Sequence, residues 1–592
     1  MKKQKKNKGV TLIIVVITIV IMGILLATVV YNAQKRNKIG SLDNLYTDLT
    51  ILEGKYKVYY QQHNYIPVEE LYTGDTAFKA QMNHNDNEKY YVVDLQKLNN
   101  VSLKTNGTFI INEKTLSVYY PSGVTVDGAT YYTLPSNSSS QTIALQTKSM
   151  QIKGISDGSW NEEKQVNCPQ LLDGMIPVYW TSTGEEIEIG NVEQEWDNWY
   201  DYSQQKWANA VTKDDKGNIT GYWVWIPRYE YKITNPGTSE ESEILIKFIK
   251  TSQTTPDEGY TYIHPAFMDG TKNGFSNGEW DKEIPGFWVA KYMAGFQAST
   301  IDVSGTLTNA NDTVVYSDSF YTSYNTSYKS NALGQNLSQS GYNSQNISYP
   351  VFRPLTYAYN VISIGDCYTI SRKIADKTSF YGLKNNQTDS HLMKNSEFGA
   401  VVYLTHSVYG ANRQVITANN KTMGDTSKNI YGVTGYAGTT AMGTEASSTK
   451  NLSGVFDLAG CDYEYISAYL ANDHENLKQY GQSITQYDKK STKYTTTYQT
   501  GNEDTATENY NVHKNFESVK KYGDAIFETS ESSSDESQTS WQSGLSQYPY
   551  VTTPFFMRTN PYDTDASMFG FKFQNGAPHF KIGFRVVLIG EN

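Results

Sequence analysis

An uncharged stretch from Val10 to Tyr31 is the most marked hydrophobic feature of the chain. At about 1.5 Å of rise per helical residue it spans about 33 Å, which is enough to cross a bilayer. Five lysines precede it within the first eight residues, and the apolar core of a secretion signal is normally shorter. The pattern predicts a single transmembrane helix over 10–31, with a cytoplasmic N-terminus and the bulk of the chain extracellular.

Helical spacing of apolar residues continues between Leu42 and Leu52. Pro67 is a stop signal for this helix. Three short β-rich runs follow, at 90–95, 108–112 and 116–123, with turn residues between them. We therefore expect a long helix and a small antiparallel sheet over 32–134, followed by a linker over 135–165.

The distal region, 166–592, has many Trp, Tyr, Gly and Asn residues and little helical periodicity. Its pattern predicts an irregular α+β domain with long loops. Segments near 303–349 and 483–540 are rich in Ser, Asn, Thr and Tyr, and we expect both to be inserted surface loops, the second partly disordered. Tyr and Asn on such loops suit adaptable ligand contacts, but solvated loops with no partner are an equally good interpretation.

Composition narrows the possible partners. The net charge is −11 despite the basic leader, so the extracellular part is acidic and nucleic acid is not an expected partner. The three cysteines are Cys168, Cys367 and Cys461. Their wide spacing predicts neither a zinc site nor a disulfide framework, and leaves one bridge between two of them open.

The leader reads Lys-Gly-Val-Thr-Leu-Ile over 8–13 and resembles that of type IV prepilins and pseudopilins. The resemblance implies cleavage after Gly9 by a prepilin peptidase, a mature N-terminus at Val10, and assembly with other pilin-like subunits. Ile14 stands where the family usually has a glutamate, as in some minor, tip-located pseudopilins. The alternative is an uncleaved signal anchor.

Six motifs of the distal region occur in an order that resembles the formylglycine-generating-enzyme (sulfatase-modifying-factor) family, which has a variant of the C-type-lectin fold. They lie at 199–210, 222–228, 286–292, 391–400, 454–465 and 583–587. Catalytic members use a C-terminal cysteine pair to bind copper. Residues 554–585 contain no cysteine, so we expect a non-catalytic domain without a cofactor.

Several acidic and histidine side chains of the distal region are candidates for metal binding or catalysis. Asp457, Asp462 and Glu464 lie in the family signature and are the oxygen donors for a calcium site there. Bracing of the turn by Asp457 and Glu464 is the favoured interpretation, with no metal expected. His391 and His406 flank a predicted helix that carries Glu397. Because no matched carboxylate partner is evident for either histidine, we expect structural roles.

In lectin-like relatives the C-terminal segment forms the variable ligand-binding face. The resemblance implies such a face here, formed by Arg558, Asn560, Tyr562, Asp563, Lys572, Gln574 and Asn575. The predicted function is a cell-surface, minor or tip pilin-like subunit that presents a non-catalytic lectin-like domain to an extracellular protein or glycan, in adhesion or recognition. The alternatives are an extracytoplasmic formylglycine-generating-type oxidase and an uncleaved, membrane-anchored structural protein.

Overall fold

The computed structural model describes residues 40–134 and 154–590, apart from internal gaps. These gaps are 64–65, 75–77, 79–88, 99–100, 113–115, 127–128, 190–195, 296–348, 357, 361, 384–386, 420–421, 424–430, 436–442, 487–488, 500–502, 517–518, 535–536, 561–566 and 580. The predicted leader, the transmembrane helix over 10–31 and nearly all of 303–349 therefore lie outside the described residues. Within the described ranges, no helix has both the length and the hydropathy to cross a bilayer.

The chain divides into two compact units, residues 1–147 and 148–592. In the first, helix α1 (Gly40–His63) buries an apolar stripe made by residues three or four positions apart, namely Leu42, Leu45, Leu49, Leu52 and Tyr56. The Tyr56 hydroxyl donates to the Pro67 carbonyl at 2.8 Å, which ties the chain after the helix back to its surface. The predicted helix is confirmed.

A small antiparallel sheet completes the first unit. Its strands, in spatial order, are β1 (Val68–Leu71), β2 (Tyr90–Val93), β3 (Ile110–Asn112) and β4 (Val118–Tyr119), and a separate hairpin follows, β5 (Val124–Val126) and β6 (Ala129–Tyr131). On α1, the buried Asp48 carboxylate accepts from the backbone N–H groups of Lys104 and Thr105. Each of the three predicted β-rich runs contains a strand, so that prediction is also confirmed.

The second unit contains nineteen strands among its described residues. They are β7 (Trp160–Asn161), β8 (Val166–Asn167), β9 (Ile176–Trp180), β10 (Glu186–Glu188), β11 (Asn209–Lys213), β12 (Ile219–Pro227), β13 (Tyr229–Ile233), β14 (Ile244–Phe248), β15 (Tyr262–Ile263), β16 (Gly286–Ala290), β17 (Thr388–Leu392), β18 (Thr422–Met423), β19 (Tyr431–Gly432), β20 (Tyr463–Leu470), β21 (Thr496–Tyr498), β22 (Phe555–Arg558), β23 (Phe571–Gln574), β24 (Ile582–Phe584) and β25 (Val586–Gly590).

Most of these strands belong to two sheets. The larger is antiparallel, with the order β10-β9-β11-β12-β16-β25-β17. The smaller has the order β21-β20-β22-β23, with β24 pairing β20 in parallel. Strands β14-β13-β15 form a third sheet, and β7-β8 and β18-β19 are two-stranded.

Six α-helices are described in the second unit: α2 (Ile364–Ser371), α3 (Thr378–Tyr381), α4 (Asn395–His406), α5 (Glu475–Gln479), α6 (Gln482–Thr485) and α7 (Ala506–Asn515). Short 3₁₀ helices lie at Tyr202–Gln204, Pro265–Phe267, Gly443–Ala446 and Trp541–Ser543. Helices and sheets together confirm the α+β class. Every residue of α4 is buried, because this helix runs through the centre of the unit.

Aromatic rings fill the core of the second unit. Trp225 on β12 lies directly opposite Trp288 on β16, with ring centroids 5.3 Å apart. Seven tryptophans are fully buried: Trp199, Trp207, Trp223, Trp225, Trp280, Trp288 and Trp541. Large rings bury much apolar area per residue, so they can supply the core of a domain that has few long helices.

The expected linker over 135–165 is too long at its C-terminal end. Residues 154–165 are folded, because β7 pairs with β8 and the Asp157 carboxylate accepts from the backbone N–H groups of Gly154 and Ser159 at 3.1 Å each. The second unit therefore includes residues that the sequence pattern had assigned to the linker.

The prediction of a partly disordered surface loop at 483–540 is wrong for the described residues. This segment contains β21, α7 and several buried rings, among them Tyr498, Tyr510 and Phe527. Buried residues of α7 recur at positions 506, 509, 510 and 513, which is the spacing of one helix face. Because Ser, Thr and Asn are so abundant in this segment, the sequence pattern did not reveal the few residues that are buried.

Candidate functional site

The predicted C-terminal ligand face is only partly a surface. Tyr562 and Asp563 lie outside the described residues, as do the predicted processing residues Gly9 and Val10. Arg558 is fully buried and Asn560 is 3% exposed, so neither can meet a ligand at an open surface.

Arg558 was predicted to lie on the ligand face, but hydrogen bonds hold its guanidinium inside the domain. Its Nε donates to Asn395 Oδ1 at 3.0 Å, and its Nη1 donates to the Ala525 carbonyl at 3.1 Å. A second terminal nitrogen donates to the Asp524 carbonyl. Arg558 therefore ties β22 to α4 and to the 524–525 turn, which is an architectural role.

The rest of the predicted face lies on and just after β23, the outer strand of the smaller sheet. Lys572, Gln574 and Asn575 are half-buried. Lys572 Nζ lies 5.6 Å from the Tyr463 ring centroid, and Gln574 Oε1 accepts from the Asn575 backbone N–H at 2.8 Å. These three residues lie near Arg558 in the sheet, since Arg558 on β22 pairs with Phe571 on β23, but only Arg558 is fully buried.

The signature turn around Asp457 is held by hydrogen bonds to its carboxylate. Oδ1 accepts from Asn419 Nδ2 at 2.8 Å and from the Gly435 N–H at 2.9 Å, and Oδ2 accepts from the Met293 N–H at 3.3 Å. Burial raises the pKa of Asp457, while Arg585 and these donors oppose that shift. The oxygens face N–H groups, which supports the bracing interpretation over calcium binding.

A second buried carboxylate, Glu464, pairs with the arginine of the terminal Gly-Phe-Arg. Arg585 Nη2 lies 2.6 Å from Glu464 Oε1, and both side chains are completely buried. Arg585 also donates to the carbonyls of Ala290 and Phe456 at 2.7 and 2.9 Å. One guanidinium thus joins β16, the signature turn and β20.

His391 has the carboxylate partner that the sequence pattern did not reveal. The residue lies on β17, and its Nε2 is 2.8 Å from Glu397 Oε1 on α4. Its ring stacks on Trp280 at a centroid distance of 5.1 Å. His391 and Glu397 are both fully buried, so this pair has no access to a substrate and joins two elements.

His406, at the end of α4, also lies near an acid. Its Nε2 is 2.8 Å from the Ser242 carbonyl, and its Nδ1 is 3.6 Å from Glu241. Burial lowers the pKa of His406 to about 4, so the ring is neutral at physiological pH.

The three thiols are all free and buried. Burial raises the pKa of Cys168 to about 12 and raises the pKa values of Cys367 and Cys461 well above their usual range. Thiolate is the reactive form of cysteine, and these sites hold the protonated form. Within the described part of the chain, no group of three or more His, Cys, Asp or Glu side chains is placed to hold a metal ion.

Two stretches match the GxSxG pattern of serine hydrolases, namely Gly-Ile-Ser-Asp-Gly at 154–158 and Gly-Phe-Ser-Asn-Gly at 274–278. That chemistry requires an exposed serine on a sharp turn between a strand and a helix. Ser156 is completely buried, and its turn is followed by β7. Ser276 is exposed, but it lies among turns that no helix follows, so neither serine has the geometry of that nucleophile.

An open cleft at one edge of the larger sheet is the best candidate for binding. This Trp180 cleft is lined by residues from 179–184, 198–207 and 444–453, and has a volume of about 670 Å³. Trp180 ends β9 and Thr181–Gly184 turn the chain into β10, with Gly184 at φ +83°. The hairpin thereby places a partly exposed indole at the cleft wall.

The wall of the Trp180 cleft is rigid. Lys291 Nζ lies 3.7 Å from the Trp180 ring centroid and donates to Asn209 Oδ1 at 2.8 Å. Trp199 and Trp207, also in the lining, donate their indole N–H groups to the carbonyls of Asn209 and Tyr409 at 2.7 Å each. Trp199 and Trp207 are buried, so these contacts fix the wall, and the partly exposed Trp180 ring is held in place before any ligand arrives.

The lining chemistry of the Trp180 cleft combines rings with neutral polar groups. Thr181, Thr183 and Asn451 supply hydroxyl and amide groups beside the tryptophans. Lys206 is the one charged residue of the described lining. Such a combination suits a neutral, polyhydroxylated ligand with flat apolar faces.

Comparison with known proteins adds no family assignment: a scan against protein-family models and a search of curated proteins gave no match.

Sequence reasoning did not identify the Trp180 cleft. One local signal was available, because a tryptophan directly precedes Thr-Ser-Thr-Gly, a turn pattern that exposes the end of a strand. The other two lining segments are far away in the chain, and only the fold brings them to Trp180.

Proposed function

We propose that this protein is a cell-surface, pilin-like subunit, minor or at a filament tip, that presents a non-catalytic binding domain. The basic leader over 1–9 and the apolar segment over 10–31 support display at the membrane, and cleavage after Gly9 would expose Val10 as the new N-terminus. In this proposal the second unit is the lectin-like, formylglycine-generating-enzyme-like head, and its partner is extracellular.

The Trp180 cleft carries the binding part of the proposal. It is open and preorganised, and it exposes part of the Trp180 ring beside neutral hydroxyl and amide groups, while Trp199 and Trp207 are buried in its wall. An aromatic face beside hydrogen-bonding groups favours a saccharide over a charged peptide. We therefore expect the ligand to bind in the Trp180 cleft and not at the buried Arg558.

Several observations favour binding over catalysis. All three thiols are buried, and Ser156 is inaccessible. The His391–Glu397 and Glu464–Arg585 pairs are completely buried as well. A formylglycine-generating-type oxidase would require accessible thiolates, which none of these cysteines supplies.

Saccharide binding by full-length, detergent-solubilised protein tests the proposal. The probes are immobilised neutral tetrasaccharides of glucose, mannose and N-acetylglucosamine. We expect at least one to bind, and Trp180→Ala to weaken that binding by about tenfold or more, a loss of at least 1.4 kcal/mol.

Trp160→Ala is the matched control. Trp160 is also partly exposed but lies outside the Trp180 cleft, so this variant should bind like the wild type. Thermal melting of all three proteins checks that they fold. Absence of binding to every probe, or equal binding by both variants, would contradict the assigned role of the Trp180 cleft.

A further inference from the structure

A buried lysine lies behind the wall of the Trp180 cleft. Lys291 directly follows β16, and its side chain is completely buried. Its Nζ lies 3.7 Å from the Trp180 ring centroid and 5.8 Å from the Phe456 ring centroid. In the part of the chain that the structure describes, no carboxylate forms an ion pair with this amine. A buried ammonium without such a partner is costly, so Lys291 is not explained as one half of a buried ion pair.

The side-chain amide of Asn209 faces the Lys291 amine. Asn209 begins β11 and is also completely buried. Its Oδ1 lies 2.8 Å from Lys291 Nζ, although 82 residues separate the two in the chain. Its Nδ2 donates to the carbonyls of Trp207 and Ser453 at 2.9 and 2.7 Å. Because three hydrogen bonds fix the amide, its carbonyl carbon stays beside the amine.

The surroundings of Lys291 favour the neutral form of its amine. Burial lowers the pKa of Lys291 well below its ordinary value, against the attraction of Glu186. Besides Asn209, the Leu452 carbonyl accepts from Nζ, so both hydrogens of a neutral amine have acceptors. A lysine that is desolvated in this way is the form that acts as a nucleophile in covalent chemistry.

We propose that Lys291 and Asn209 are joined by an intramolecular amide bond that forms once the domain has folded. The Nζ lone pair attacks Asn209 Cγ, the Cγ–Nδ2 bond breaks, and Nδ2 leaves as ammonia. One proton passes from Nζ to Nδ2, so an amine and a primary amide become a secondary amide and ammonia, with no oxidant or cofactor. The remaining Nζ hydrogen still has the Leu452 carbonyl as its acceptor.

The bond would remove the isolated buried amine and connect separate strands. Strand β12 lies between β11 and β16 in the larger sheet, so the link would join β11 to the end of β16 across it. The modification is a property of the sheet and does not depend on a ligand in the Trp180 cleft.

Glu186 is placed to relay the proton. It lies directly opposite Trp180 in the pairing of β9 with β10. Its Oε2 accepts from the Tyr222 hydroxyl at 2.9 Å, and the Tyr222 carbonyl accepts from the Lys291 backbone N–H at 2.9 Å. Burial raises the pKa of Glu186, which suits a carboxyl that takes up a proton and returns it.

Tryptic digestion of denatured protein from producing cells, followed by mass spectrometry, tests the link. Trypsin does not cut after an acylated lysine. Linked protein should therefore give residues 207–213 joined to 283–329, lighter by one ammonia molecule than the two separate peptides. Unlinked protein gives free 207–213 and free 283–291. Recovery of only these two free peptides from the wild type would overturn the proposal.

Lys394 is an internal control in the same digest. It is also completely buried, but its Nζ donates to the backbone carbonyls of Gly278 and Glu279 at 3.0 and 3.1 Å, so trypsin should cut after it normally. Asn209→Ala and Lys291→Met should each release 207–213 as a free peptide. A Lys291 that stays uncut in Asn209→Ala would contradict the assignment of Asn209 as its partner.

A second pair of variants tests the relay. Glu186→Gln should leave a larger unlinked fraction than Glu188→Gln, which changes an exposed residue on the same strand. Equal linkage in the two variants would exclude Glu186 from the mechanism. The linked peptides are measured without any ligand, so failure of this link is distinguishable from failure of saccharide binding at the Trp180 cleft.

Discussion

At the scale of single residues, several charged side chains in the second unit are buried and connect separate elements. Arg558 joins β22 to α4, and Arg585 joins β16 to β20. Buried charges are costly unless paired and hydrogen-bonded. Removing one member of such a pair leaves the other charge without compensation inside the core.

Arg585→Met tests this role directly. The variant leaves Glu464 buried without its partner, and we expect a loss of about 3–5 kcal/mol in the free energy of unfolding, seen as a lower melting temperature. Lys250→Met, which removes one partner of the exposed Lys250–Glu162 pair, should leave melting essentially unchanged. Equal melting of the two variants would contradict the role of Arg585 as a tie.

At the scale of elements, helix α7 shows how a polar segment can belong to the core. Tyr510 is completely buried, and its hydroxyl lies 2.7 Å from Ser530 Oγ. Its ring packs on Phe527 at a centroid distance of 5.3 Å. Although surrounded by Ser, Thr and Asn in sequence, the residue anchors the segment to the domain.

Tyr510→Ala should therefore destabilise the protein by about 3–5 kcal/mol, as expected for removal of a buried ring. The neighbouring Asn511→Ala is the matched control, because Asn511 is exposed on the same helix and its loss should have little effect. Chemical denaturation measures both. If the two variants unfold alike, α7 does not contribute to the core.

Local patterns predicted the first unit well. Spacing of apolar residues located α1, and short β-rich runs separated by turn residues located β2, β3 and β4, because each element is specified by neighbouring residues. The second unit depends on pairings between distant segments. Strand β25 lies between β16 and β17, although about 200 residues or more separate it from either strand, and no local pattern encodes that position.

The candidate sites were hard to predict for the same reason. Arg558 was assigned to a surface because its side chain is charged, yet carbonyls from other segments surround it. The Trp180 cleft combines lining residues from three separate parts of the chain. Residue type alone therefore did not show which polar side chains lie at an open surface.

At the scale of the whole molecule, we propose that a basic, hydrophobic N-terminal segment displays a large head that binds a ligand. The net charge of −11 is the reason that we do not expect nucleic acid as a partner. In this proposal Ile14, in the predicted transmembrane helix, favours a minor or tip subunit, because it lacks the carboxylate that the pilin family usually has at this position.

Mass spectrometry of the mature N-terminus tests the surface-subunit assignment most directly. In protein recovered from the membranes of producing cells, we predict that the first residue is Val10 and that residues 1–9 are absent. A Gly9→Val variant is the matched control and should retain them. Wild-type protein that still begins at Met1 would contradict the assignment to pilin-like subunits.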